Sequence, residues 1–168
     1  MNKLGFLVGW IPFLHWFYIM YIPELTDFDP FSLERLLQTC FDLPSDPVKC
    51  CVLIDLDDPT LVIGKKFLDL EGLDVQKRAV THFYEPLGGD IGKKLNISSC
   101  DLFSFKTTGG SNLDPENKLF DVSGNALTFT EDICPNYDLI LAITDYSLTA
   151  PLTAMAKKFN FRGATLHG

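Results

Sequence analysis

A stretch near the carboxyl end constrains the fold more than any other. Tyr137-Asp138-Leu139-Ile140-Leu141-Ala142-Ile143-Thr144 is a short, almost wholly apolar run bounded by polar residues, the pattern of a strand buried on both faces. Asp145-Tyr146-Ser147-Leu148-Thr149 interrupts the run and offers several side chains able to cap a helix, Asp145 first among them. Ala150 to Phe159 reads as that helix. Leu152, Met155, Ala156 and Phe159 fall at helical spacing, Pro151 sits in the first turn, and Lys157-Lys158 suit the last. Asn160 ends it, and Phe161 to His167 returns as a second strand. Strand, helix, strand is a βαβ unit, and such units build parallel sheets. A parallel strand takes a cover on each face. With nothing after Gly168, the sequence reads as a domain incomplete at its carboxyl end. Its terminal strand would then serve self-association or a missing C-terminal domain.

Upstream, Phe31 to Phe41 reads as an amphipathic helix capped by Ser32, with Leu33, Leu36, Leu37 and Phe41 on one side. Val48 to Leu56 is a second apolar run and the first buried strand, punctuated by Asp57-Asp58-Pro59-Thr60. Leu61 to Leu70 and Leu73 to Phe83 read as helices, the second with Val75, Ala79, His82 and Phe83 on one face; Gly88-Gly89 is a break. Asp101 to Lys106 alternates like a half-buried strand. Leu119 to Val122 and Ala126 to Thr130 flank Ser123-Gly124-Asn125 as a β-hairpin. The fold class expected is therefore α/β: a mostly parallel sheet with flanking helices and one hairpin, preceded by an apolar N-terminal helix.

That N-terminal segment divides the chain into 1–24, a helix and linker at 25–47, and the α/β domain at 48–168. Leu4 to Ile22 carries no formal charge and is just long enough to span a bilayer. Pro12, His15 and the crowded aromatics argue against a span, and neither a basic leader nor a cleavage site marks a signal peptide. A membrane anchor and a buried or mis-started segment both remain open, so the location expected is cytoplasmic, with or without an anchor.

With 168 residues and 46% hydrophobic residues, one domain can bury a core. A net charge of −8 excludes nucleic acid as a partner, since phosphate binding needs clustered Lys and Arg. Five cysteines at irregular spacing form no disulfide framework and point to a reducing compartment. Cys50 and Cys51 read as small core residues, and Cys100 as lying just before a strand.

The best candidate for a ligand or interface loop is Thr108-Gly109-Gly110-Ser111-Asn112, because α/β folds place ligand loops after strands. It is neither a P-loop nor a dinucleotide fingerprint, and a tight turn requiring positive φ is the plainer reading. Thr144 and Asp145 end a strand at the same carboxyl edge and are candidates for the same ligand or interface role, with a cap on the following helix the plainer reading of Asp145. His82 reads as packed. No catalytic constellation and no metal-ligand spacing is visible.

Cys51-Val52-Leu53-Ile54-Asp55-Leu56, Thr107 to Leu113, Tyr137 to Ile140 with Thr149 to Ala154, and Phe161 to Gly168 together resemble the N-terminal part of bacterial proteins related to the aminopeptidase T family of metallo-aminopeptidases. The resemblance covers roughly Lys49 to Gly168. It implies an N-terminal α/β domain whose divalent metal ligands and catalytic acid belong to a separate C-terminal domain. No position here matches the metal motif, so the chain would be a hydrolase domain inactive by itself. The alternative is a small membrane-anchored, non-catalytic binding module. Whether the chain is an enzyme stays open.

Overall fold

The computed structural model describes residues 32–41, 43 and 45–168. The apolar stretch Leu4 to Ile22 and the proposed boundary at residue 24 lie outside them. Helix α1, Leu33–Cys40, opens the described chain, and the Ser32 hydroxyl accepts the Arg35 N–H as its cap. Strand β1, Val48–Leu56, is buried at every position except Lys49. Helices α2 (Asp74–Ala79), α3 (Glu85–Gly88) and α4 (Asp90–Lys94) follow, and then strand β2, Ile97–Lys106. The hairpin is β3 (Lys118–Asp121) and β4 (Ala126–Thr128). The βαβ unit is β5 (Leu139–Thr144), α5 (Thr149–Phe159) and β6 (Arg162–His167).

Among the described residues these strands form one six-stranded sheet in the order β4-β3-β2-β1-β5-β6. β2, β1, β5 and β6 run parallel, and the hairpin is added antiparallel on the β2 side. Alternate residues of the central strands face opposite layers. Cys50, Val52, Ile54 and Leu56 pack with α1, α2 and α3, whereas Cys51 and Leu53 pack with α5 and the segment Phe129–Ile133. Two covered faces explain why β1 and β5 are continuous apolar runs rather than alternating ones. β2 follows the same rule at 102–105, all buried, so the half-buried strand expected there is covered on both sides.

Three expectations are corrected. Leu61 to Leu70 is not a helix: it is 3₁₀ backbone spanning Pro59–Asp69, broken at Ile63, Gly64 and Lys65, with Gly64 and Lys65 at φ 62° and 58°. Left-handed residues cannot continue a right-handed helix. Leu73 to Phe83 passes from α2 into a wider π turn at Val80–Tyr84 before α3. That widening leaves His82 exposed while Phe83 is buried. Cys100 lies inside β2 and not before it.

Among the described residues no helix is long and apolar enough to cross a membrane.

Candidate functional site

The chain leaves β1 toward β2 on one side, and β5 later takes the place on β1's other side. The carboxyl ends of β1 and β5 are thus the topological switch point, where open α/β sheets hold their ligands. One charged side chain is enclosed there. Asp55, next to last in β1, is 1% exposed. Its Oδ1 accepts the Asp145 N–H at 2.9 Å and the Gln76 Nε2–H at 3.0 Å, and the same Gln76 nitrogen donates to the Asp55 carbonyl at 3.0 Å. Gln76 reaches across from α2 and is itself 0% exposed. Its Oε1 has no hydrogen-bond partner among the described residues. Burial pushes the Asp55 carboxyl above its usual range; the Asp145 N–H and Gln76 oppose that shift, and the nearby Asp145 charge adds to it.

The loops after β2 and β5 flank this point, and their polar atoms join them. The Thr107 N–H donates to the Leu56 carbonyl at 3.1 Å, tying the first loop to the end of β1. The Thr108 hydroxyl donates to the Gly110 carbonyl at 2.9 Å, and Gly109 takes φ 73°, so the Gly pair makes a tight turn. That turn delivers Asn112, at φ 61°, to the second loop. Its N–H donates to the Ser147 carbonyl at 2.6 Å, and its Oδ1 accepts the Ala150 N–H at 2.9 Å. The Ser147 N–H approaches the Ser111 hydroxyl at 3.4 Å. Thr144 donates to the Tyr146 carbonyl at 2.6 Å.

The residues expected at this edge are therefore brought together, with one change of role. Asp145 does not cap α5. Its N–H serves Asp55 while its side chain is exposed. The first-turn amides of α5 are met by Asn112 and by the Ser147 hydroxyl, which accepts the Thr149 N–H at 3.3 Å. The β5–α5 connection bends at Asp145 and Tyr146 themselves, and an acceptor from another loop, Asn112, meets the Ala150 N–H instead.

No family model, no curated protein and no solved structure matches this chain. The site is thus read from its own chemistry. Among the described residues no group of three or more His, Cys, Asp or Glu is placed to hold a metal ion. What the edge offers is a braced rim. Leu113 and Tyr146, next to the hydrogen-bonded Asn112 and Ser147, are 52% and 37% exposed and are two of three large apolar side chains so exposed among the described residues. Asp145, which precedes Tyr146 in the chain, has an exposed carboxylate.

Asp55 and Gln76 are the residues that sequence reasoning does not single out. The signal for Asp55 is present, a carboxylate closing an apolar run at a strand's carboxyl end. Nothing in the sequence pairs it with Gln76.

Proposed function

We propose that this chain is the α/β recognition part of a hydrolase resembling the aminopeptidase T family. Its carboxyl-edge rim faces a peptide's amino end, and it hydrolyses no aminoacyl bond by itself. The observation that carries the reading is the enclosed Asp55 at the switch point, flanked by two loops braced to each other. A buried carboxylate held above its usual range is a recurrent mark of a functional site. In this reading Asp145 meets the substrate's ammonium group, and Leu113 and Tyr146 meet the neighbouring side chain. The aminopeptidase assignment rests on the sequence resemblance, and its metal chemistry would be supplied by groups outside the described residues. A reducing, cytoplasmic setting suits the free cysteines.

Two measurements test it. The purified chain with cobalt, zinc or magnesium should release no amino acid from aminoacyl-nitroanilides; metal-dependent turnover overturns the inactive reading. Titration with the tripeptide Leu-Gly-Gly should move backbone NMR signals at 107–113 and 144–149, and Asp145→Asn should weaken that response. Shifts confined to other elements, or none at millimolar peptide, overturn the recognition reading.

A further inference from the structure

The opposite edge of the sheet holds a second site that the rim does not use. A cleft of ≈ 520 Å³ opens there between α3, α4 and the start of β2, lined by Tyr84, Glu85, Gly88, Lys93, Ser99 and Cys100 among others. Cys100 is partly exposed. In the β1–β2 ladder it stands in direct register with Cys50. Register partners on adjacent strands point to the same face, and both side chains do pack in the same layer, Cys50 fully buried and Cys100 at its margin. Neighbouring strands lie about 4.8 Å apart, inside the roughly 4.4–6.8 Å Cα separation that a disulfide spans. The register shift of this ladder falls between Val48 and Lys49, two residues before Cys50, where Ser98 is the extra residue on β2; a bulge adds local twist. Cys51 and Cys134 are buried in the other layer of the core.

We propose that Cys100 and Cys50 form a peroxide-reactive dithiol, with Cys100 taking the oxidant from the cleft and Cys50 resolving it as a disulfide. The Cys100 thiolate attacks one peroxide oxygen, an S–O bond forms, the O–O bond breaks, and hydroxide leaves and is protonated to water. The Cys50 sulfur then attacks the Cys100 sulfenic sulfur. An S–S bond forms, the S–O bond breaks, and the hydroxyl leaves as a second water with the Cys50 proton. Two thiols are oxidised by two electrons and one peroxide is reduced to two waters. Cys50 is the slow partner, because the facing Cys100 thiol and then burial push its thiol well up from the ordinary range. Resolution should therefore quicken as pH rises.

The test uses the full chain exposed to stoichiometric hydrogen peroxide, digested without reduction and weighed. The expected product is a cross-link between tryptic peptides 50–65 and 95–106, two hydrogens lighter than the sum of the free peptides. It should persist in Cys51→Ala and be absent in Cys100→Ser. Cys50→Ser should instead leave a Cys100 sulfenic acid that dimedone traps. Near-UV circular dichroism establishes that each variant is folded. Oxidation confined to the exposed Cys40, or a cross-link that requires Cys51, overturns the assignment. So does wild-type chain whose Cys100 stays reduced while Cys40 is oxidised.

Discussion

A carboxyl group enclosed at the end of a central strand gives up its proton less readily than one in water, and Asp55 is such a group. Because its folded pKa lies above the unfolded value of about 3.9, its contribution to stability is fully present below that pH. The contribution is lost as pH rises through the folded pKa. At neutral pH the charge opposes folding. Asp55→Asn keeps an acceptor for Asp145 and Gln76 without the charge, so it should raise the Tm at pH 7 and lose that advantage near pH 3.5. Thermal unfolding at the two pH values checks this, and an equal gap at both would show that charge is not the cause. Asp55→Leu should act in the opposite direction, by roughly 1–3 kcal/mol, since it leaves the Asp145 N–H and one of the two Gln76 amide hydrogens without an acceptor. Asn112 carries a different load. Its Oδ1 caps α5 while its backbone sits at φ 61°. Asn112→Ala should cost about 0.5–2 kcal/mol through the cap, with further loss from the left-handed backbone. Asn112→Gly should cost less than Ala because glycine adopts that φ freely. Urea unfolding of the three proteins gives the order directly.

At the scale of elements, what the sequence makes legible follows from what decides each one. β1, β5, α5 and the hairpin are visible because periodicity and burial agree there, and their ends fall within two residues of the expected ones. Pro59–Asp69 misleads because its apolar residues suit a helix while Gly64 and Lys65 turn left-handed. That turn is held by tertiary partners: the Gly64 N–H donates to the Val122 carbonyl at 2.9 Å, and Lys65 pairs with Glu85 at 3.1 Å. The candidate loops were legible as loops from Gly109-Gly110, yet their bracing was not, because Asn112 meets an amide in α5, 38 positions along the chain. Gly163 decides how closely α5 lies on β6. A Cβ there would stand 3.1 Å from Leu152 Cδ2 and 3.3 Å from Phe161 Cε2. Gly163→Val should therefore press on the Leu152 and Phe161 side chains and lower the urea midpoint, by less than overpacking inside the core would, because Gly163 is exposed and lines a cleft of ≈ 390 Å³. Trimming Leu152 to Ala in the same chain should recover part of that loss.

For the whole molecule, the two ends of the sheet differ. Among the described residues both edge strands have a neighbour on one side only, but β4 is a hairpin strand of 3 residues and β6 a strand of 6. The N–H groups of Arg162 and Gly168 point to β5, so by the period of two those of 163, 165 and 167 point away. An open edge of this kind recruits another strand. Sedimentation velocity of the full chain should show association that grows with concentration, and His167→Pro, which deletes one outward N–H, should weaken it. The strand order also has a consequence for synthesis. β1 is one of the sheet's two middle strands, yet its neighbours on the two sides are made at different times: β2 begins at Ile97 and β5 only at Leu139. At translation rates of roughly 5–20 residues per second, one flank of β1 waits roughly four to seventeen seconds for its partner. During that interval the flank of β1 that will meet β5 carries unpaired amides and carbonyls, the kind of strand edge that invites wrong pairings.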